Sequence, residues 1–221
     1  MTARNRIEGV MNKAGGSGQW GNAINVFRAD NVIVRGNRIR DAAFSAVRGN
    51  AASNLQIVGN ICSAIGEVAL YAEFGFEGAL IANNIVDGAA LGISVTNSDK
   101  GGRLAVVHPG DSAGIGIGIE ADTAVIGNVV ENVPYAGIAA GWGAYLRDVA
   151  ITSNVVRGAD FGITVSVAPG AGAAVISDNM ISDVRRGAIV GMEWRKAVTG
   201  DLAKDGAAHY AQLSIGGNRV R

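Results

Sequence analysis

Three of the nineteen acidic side chains in the 221-residue sequence are candidates for acid–base chemistry: Glu73, Glu120 and Asp122. Paired carboxylates can act as acid and base on a glycosidic bond, or hold a calcium ion, when their oxygens converge. Arg147 could neutralise charge in the same reaction. We take Glu120, Asp122 and Arg147 as candidate catalytic residues, with Glu73 as a further acid or base. All three carboxylates could equally be solvated ends of loops, or charges that keep a sheet edge from pairing with another chain.

Aromatic side chains close to these carboxylates could bind sugars. Trp142 and Tyr145 offer two ring faces next to Arg147, and a second group of rings surrounds Glu73. Sugar rings stack on such faces, although the same rings could simply pack against the side of the fold. The candidate substrate-binding residues are Glu73, Thr96, Glu120, Trp142 and Tyr145.

Other sites receive little support from the sequence. With one cysteine and two histidines, the chain cannot form an internal disulfide or a histidine-rich metal centre. The glycines from Gly114 to Gly118 resemble a phosphate loop, but the apolar alternation of a strand runs through them and no Lys-Ser/Thr pair follows. We therefore predict no cofactor and no resident metal, with calcium left open.

Composition excludes several broad classes. The 19 basic and 19 acidic residues balance, and no basic stripe suited to phosphates stands out, so we expect no nucleic-acid partner. No run of about 18 apolar residues occurs, so we expect no membrane span. The chain is long enough, at 48% hydrophobic residues, to bury a continuous core.

A repeat runs through the sequence. Its marker is an apolar strand-like run, a Gly-Asn pair or a variant of it, and a second apolar run. The marker asparagines are Asn37, Asn60, Asn84, Asn128, Asn154, Asn179 and Asn218. Their spacings are 23, 24, 44, 26, 25 and 39 residues. We interpret the interval of 44 as two units of which one has lost its asparagine, and the interval of 39 as one unit with an insertion.

Short runs with period-two alternation predict strands and leave no room for ordinary helices. Units that restart in the same direction predict an all-β, single-stranded parallel β-helix, or β-solenoid, of roughly eight coils of 21–26 residues. Coils stacked at about 4.8 Å would make a rod about 40 Å long. We expect the Gly-Asn pair to form a sharp bend, since both residues tolerate positive φ, and successive asparagines to bond amide to amide.

A second marker predicts a binding face. The glycine of another short run stands eight or nine residues after an asparagine at Gly92, Gly137, Gly162 and Gly187, and Gly116 begins a similar run in the unit that we interpret as having lost its asparagine. The side chains that alternation points outward from these runs are small and almost uncharged. They are Ser94, Thr96, Gly118, Glu120, Ala139, Gly141, Thr164 and Ser166.

The whole chain, 1–221, is predicted to be one β-helix domain and part of a longer solenoid, because neither end resembles a cap. An uncapped end could take an end-to-end or protein partner. Met1 is not followed by the apolar segment of a signal peptide. Residues 194–210 break the repeat and are expected to form a lateral insertion.

At its Gly-Asn-x-apolar and Gly-Ile-x-Val elements the sequence resembles the right-handed parallel β-helix repeats of the pectin-lyase-like superfamily. The strings at 31–50, 66–75, 185–192 and 197–203 look similar to a narrower group, the uncharacterised twin-arginine-translocated repeat proteins of alphaproteobacteria. The resemblance implies a right-handed coil and a periplasmic or secreted location, but no assigned reaction.

Three functions follow as hypotheses. The first is a β-solenoid outside the cytoplasm that binds an extended carbohydrate, a polysaccharide or oligosaccharide, along the glycine-marked face. The second is a polysaccharide lyase, hydrolase or epimerase that uses the carboxylates named above. The third is a structural rod that presents loops to a protein partner.

Overall fold

The computed structural model describes residues 1–11, 21–89 and 114–221. Its strands wind as a parallel β-helix, which confirms the predicted all-β fold class. Eight parallel strands, one from each coil, form the first sheet. They are β1 (Thr2–Ala3), β4 (Ile33–Arg35), β7 (Leu55–Val58), β10 (Ala79–Ala82), β13 (Thr123–Ile126), β16 (Val149–Thr152), β18 (Ala174–Ser177) and β21 (Leu213–Gly216).

Two further faces complete each coil. The second face is formed by β2 (Arg6–Val10), β5 (Arg38–Ala42), β8 (Ile61–Ile65), β11 (Ile85–Ala89), β14 (Val129–Glu131) and β22 (Arg219–Val220). The third face is formed by β3 (Ile24–Phe27), β6 (Val47–Asn50), β9 (Val68–Glu73), β12 (Ile115–Ile119) and β15 (Ala136–Ala140). The long strands β17 (Val155–Ser166) and β19 (Met180–Glu193) pass round the corner, so both faces belong to one continuous sheet.

The core between the faces is built from columns of inward aliphatic side chains. In the first sheet one such column places each side chain in register with the next, and every member is fully buried. Its members are Val34, Ile57, Ile81, Val125, Ile151 and Ile176. Within the described residues, no helix is long and apolar enough to cross a membrane.

The predicted asparagine stack is present and is one coil longer than the sequence indicated. In every step the backbone N–H and the side-chain amide of one asparagine both donate to Oδ1 of the next, at 2.9–3.0 Å. The second amide hydrogen of an asparagine such as Asn60 reaches a strand carbonyl, that of Val34. Asn5 begins the stack, although no glycine precedes it. We number the coils 1 to 8 by the asparagines of this stack.

The interpretation of the 44-residue interval as two coils is wrong. Asn84 donates directly to Asn128, and β10 and β11 pair directly with β13 and β14. Coil 4 is therefore a single turn, and its extra residues lie between β11 and β12. The insertion does not disturb the stack, because the stack depends on the corner and not on the length of the coil.

The bend also differs from the expectation in one respect. The residue before each stacked asparagine has a φ between 57° and 68°, at Arg4, Gly36, Gly59, Asn83, Gly127, Ser153, Asp178 and Gly217. No stacked asparagine has positive φ. The two positions thus have different roles: the residue before the asparagine makes the left-handed bend, and the asparagine makes the hydrogen bonds between coils.

The glycines that mark the third face are explained by packing. A Cβ on Gly116, Gly137 or Gly162 would lie 2.1–2.5 Å from a side-chain atom of Val130, Val156 or Ile181 respectively. These two valines and the isoleucine belong to the second face of the following coil, so each glycine lets the third face of one coil approach the second face of the next coil closely. At these positions glycine is required because a side chain would clash, and not because the backbone has a positive φ.

Residues of the predicted insertion extend the third face at its C-terminal edge. Strand β20 (Lys196–Asp201) pairs antiparallel with β19, and helix α1 (Leu202–Asp205) follows. Asp201 accepts hydrogen bonds from the backbone N–H groups of Ala188, Ile189 and Ala203, so one carboxylate joins the hairpin to the first turn of the helix.

Replacing a stacked asparagine should be costly. Asn128→Ala removes the acceptor for two buried donors of Asn84, and we expect a loss of about 2–4 kcal/mol in the free energy of unfolding. Chemical denaturation measures this loss. The exposed amide variant Gln56→Ala serves as control, and equal stability of the two variants would contradict the structural role of the stack.

Gly137→Ala should destabilise the fold by about 1–3 kcal/mol, because the new Cβ would lie 2.1 Å from Val156 Cγ1 and 2.8 Å from the Gly162 carbonyl oxygen. Gly216→Ala is the matched control, since nothing lies within 4 Å of its Cβ. Combining Gly137→Ala with Val156→Ala removes one of the two clashes. The double variant should therefore lose less than the two single losses added together.

Candidate functional site

A groove of about 320 Å³ runs along the outer side of the third face. Its floor follows one row of residues in register across coils 3 to 6: Tyr71, Gly118, Ala139 and Thr164. Three steps of about 4.8 Å make the row roughly 14 Å long. Because the two central residues are glycine and alanine, the floor is open where larger side chains would fill it.

An apolar cluster flanks the floor. Four residues of neighbouring strands, Val68, Ile115, Ala136 and Phe161, lie in register and form a buried cluster separate from the main core. Tyr135 covers them, with its ring edge-to-face against Phe161 at 5.5 Å between centroids. The groove thus has an apolar side that does not depend on the main core.

The coil 2–3 end of the groove holds a buried ion pair. Arg48 directs Nε and Nη2 to Oε1 of Glu73, and its Nη1 lies 3.8 Å from Oε2 of Glu67. The side chains of Arg48 and Glu73 are only 14% and 4% exposed. Tyr71 hydrogen-bonds to Glu73, and its ring lies 5.4 Å from the guanidinium carbon of Arg48. These contacts hold all four side chains in one arrangement.

Glu120 lies in the next coil, beside Glu73. The preceding residues of the two strands, Ala72 and Ile119, are register partners. Oε2 of Glu120 accepts a hydrogen bond from the backbone N–H of Phe74. Glu120 is half-buried and lines the groove, so two carboxylates from neighbouring coils face the same space.

Burial is the main cause of an altered pKa at Glu73. Loss of hydration raises the pKa of this carboxyl above its usual value, while Arg48 and Tyr71 act against the rise and Glu120 adds to it. Its proton is therefore bound more tightly in the folded protein than in the unfolded chain.

The other end of the groove is aromatic. The rings of Trp142 and Trp194 meet edge-to-face at 5.4 Å, and Arg195 lies over Trp142 at 5.5 Å. Trp194 and Arg195 form the turn between β19 and β20, and Trp194 is half exposed. A Cβ on Gly143 would lie 2.4–2.6 Å from three atoms of the Trp194 ring. The ring of Trp194 therefore packs directly on the backbone of Gly143, and the hairpin forms a wall of the groove.

The structure divides the candidate residues into two groups. Glu73, Glu120 and Trp142 line the groove together. Asp122 and Arg147 pair with each other at another corner, and Asp122 borders a second hollow next to the first sheet. Tyr145 is 60% exposed and does not line the groove, and Thr96 lies outside the described residues.

The predicted outward face is also only partly correct. Gly118, Ala139 and Thr164 do line the groove, although Thr164 is 4% exposed. Ser166 is buried and donates a hydrogen bond to the Gly143 carbonyl, so it offers nothing to a ligand. Ser94 lies outside the described residues.

Sequence reasoning missed several residues of the groove: Arg48, Glu67, Tyr135, Trp194 and Arg195. Arg48 could have been found, because it stands one 23-residue repeat before Tyr71. Trp194 and Arg195 gave no such signal, since a hairpin outside the repeat carries them. The groove carries more charge than the expected outward residues suggested, because Arg48, Glu67 and Arg195 also line it.

The described residues contain neither a group of metal-binding side chains nor an accessible thiol. Among the described residues, no three His, Cys, Asp or Glu side chains are grouped to hold a metal ion. Cys62 is buried, which raises the pKa of its thiol to about 12.

The raised pKa of Glu73 predicts a pH dependence of stability. The contribution of this group is fully present below the unfolded-state pKa of about 4.5 and is lost as the pH rises through the higher folded-state pKa. Glu73→Gln should remove this dependence, so the wild type should lose stability relative to the variant between pH 4.5 and the folded-state pKa. Urea denaturation across this range measures the difference, with Glu77→Gln, an exposed site, as control. If the wild type instead became more stable relative to Glu73→Gln as the pH rises, the raised pKa of Glu73 would be contradicted.

No family model matches the chain, and no curated protein matches it. The molecule is a parallel β-helix whose third face carries a groove with charged side chains at one end and aromatic rings at the other.

Proposed function

We propose that the protein binds an extended carbohydrate in the groove across coils 3 to 6. The observation that carries the proposal is the combination of a small-residue floor with aromatic and charged walls in a single hollow. A volume of about 320 Å³ lies in the range of small-molecule sites. The row of floor residues is straight and parallel to the rod, which suits a linear chain of sugars.

Each part of the groove has a use in such binding. The half-exposed Trp194 ring and the partly buried Trp142 ring offer apolar surface for the hydrophobic faces of sugars. Carboxylates and the guanidinium group of Arg48 are strong partners for sugar hydroxyls. The contacts that already hold these side chains reduce the ordering that a ligand must pay for.

The geometry supports binding ahead of catalysis. Asp122 and Arg147, two of the three catalytic candidates, point their charges at each other away from the groove. Glu73, whose pKa is raised, is held by Arg48 and Tyr71. Glu73 and Glu120 both line the groove, but Glu73 is engaged by Arg48, so Glu120 has no second uncommitted candidate beside it for the acid–base pair that hydrolysis requires.

The resemblance to the pectin-lyase-like superfamily supports the same proposal, because one of the two elements that carry it, Gly-Ile-x-Val, lies on the third face. The similarity of four strings to twin-arginine-translocated repeat proteins leads us to propose that the protein acts in the periplasm or outside the cell. A rod that only presents loops to a protein partner would not need an aromatic wall beside buried charges.

Trp142→Ala should weaken carbohydrate binding about tenfold, because it removes a stacking surface and the support of Trp194. An array of immobilised plant, bacterial and chitin-derived oligosaccharides identifies the bound sugar, and calorimetry with that sugar measures the change. Tyr145→Ala is the matched control from the same turn. Its affinity should equal that of the wild type.

Two outcomes would contradict the proposal. Equal affinities of the Trp142→Ala and wild-type proteins would show that the sugar binds elsewhere. Absence of binding to any oligosaccharide on the array, together with capture of one protein partner, would favour the structural rod.

A further inference from the structure

The floor of the groove is blocked at both of its ends along the rod. Its row of residues does not stop at Tyr71 and Thr164, because the strand register continues to Arg48 in coil 2 and to Val190 in coil 7. On an open face, these two positions would extend the floor in both directions. In this protein a packed wall of side chains lies at one end and a hairpin at the other.

The wall at the coil 2–3 end is built on the ring of Tyr71. A Cβ on Gly118 would lie 3.0 Å from Cδ2 and 3.2 Å from Cε2 of Tyr71, so the ring leans from coil 3 over the floor of coil 4. Behind it, the guanidinium carbon of Arg48 lies 5.4 Å from the ring centroid, and Arg48 is paired with Glu73. Because the side chains of Arg48 and Glu73 are nearly buried, a ligand cannot lie on the row beyond Tyr71.

The β19–β20 hairpin closes the other end. Thr164 and Val190 are only 4% and 2% exposed, although they continue the same row as the more open Ala139. The hairpin leaves coil 7, and its Trp194 packs against Trp142, which follows the third-face strand of coil 5. The turn of the hairpin therefore reaches back past coil 6, next to the floor position of Thr164.

This second closure is part of the fold. Beyond β19 the third face does not continue as a parallel coil, because β20 runs antiparallel and places Asp201 opposite Val190. The carboxylate of Asp201 accepts hydrogen bonds from the backbone N–H groups of Ala188 and Ile189. These bonds fix the returning strand on β19, so the hairpin is anchored where it covers the row.

The free part of the floor is short. From Gly118 to Thr164 the row takes two coil steps, which together measure roughly 10 Å. A sugar ring with its linkage is about as long as one coil step of about 4.8 Å, so this length suits roughly two or three rings. The volume of about 320 Å³ is at the lower end of the range for small-molecule sites. A long polysaccharide parallel to the rod would collide with the wall or with the hairpin.

We infer that the groove binds a short linear oligosaccharide of roughly two or three rings and excludes the interior of a polysaccharide chain. The inference rests on the proposed carbohydrate-binding function and names the size class of the ligand. Oligosaccharides of this size are released when a polysaccharide is cut by hydrolysis or elimination. A reaction of that class must therefore supply the ligand, and the protein acts after it.

Calorimetry tests the length limit with linear oligomers of glucose, N-acetylglucosamine and xylose that contain two, three or six rings, and with the same lengths of any other sugar that the array identifies. The wild-type protein should bind a two- or three-ring oligomer about tenfold more tightly than the six-ring oligomer of the same sugar, because the longer chain must bend away from the floor. Equal or tighter binding of the six-ring oligomer would overturn the length limit and leave carbohydrate binding intact. Failure of every oligomer, here and on the array, would overturn the proposed function as well.

Trp194→Ala tests whether the hairpin closes the groove. The variant removes the ring that packs against Trp142 and keeps the backbone of the hairpin, so the affinity for the six-ring oligomer relative to the three-ring oligomer should rise about threefold. Tyr145→Ala is the matched control, since Tyr145 is exposed and does not line the groove, and it should leave this ratio unchanged. Loss of affinity for both lengths by the same factor in Trp194→Ala would show that the ring only stacks on sugars, and would overturn closure by the hairpin.

Discussion

Each coil must be hydrogen-bonded to the next at the corner where the first sheet meets the second face, and the asparagine stack provides these hydrogen bonds. A residue with positive φ turns the chain, and the following asparagine uses its backbone N–H and both amide hydrogens. These buried polar groups would otherwise lie unpaired inside the bend. Because the bonds involve only the corner, coils with steps of 23, 39 and 44 residues join the same stack. The register of all three faces follows from it.

That register is what creates the groove. Side chains separated by one repeat lie next to one another, so Arg48 meets Tyr71 and Glu73 comes beside Glu120. The same strand register places Gly118 and Ala139 next to each other in the middle of the groove floor. The core imposes a second constraint, since Gly116, Gly137 and Gly162 leave space for side chains of the second face. Rigid stacking then presents the outward residues on a surface that needs little reorganisation to bind a ligand.

The charged end of the groove works against stability. A parallel β-helix has no structural need for two nearly buried carboxylates around one largely buried guanidinium, and burial of such groups is costly even when they are paired. The β19–β20 hairpin similarly places a large tryptophan on the backbone of Gly143, where it remains half exposed. Both features are understandable if the outer surface of the third face was shaped for a ligand.

The repeat of asparagines and apolar runs was sufficient to predict the parallel coils and the asparagine bonds, because stacking makes each of these a property of one repeat unit. The sequence also identified Glu73, Glu120 and Trp142, which the structure brings to one groove. It could not show that the 44-residue interval is a single coil, since spacing alone does not tell an insertion from a lost marker. Nor could it show that Asp122 faces Arg147, or that Trp194 and Arg195 return over coil 5. Those outcomes depend on where corners and hairpins direct side chains in space, and the tertiary structure alone decides that.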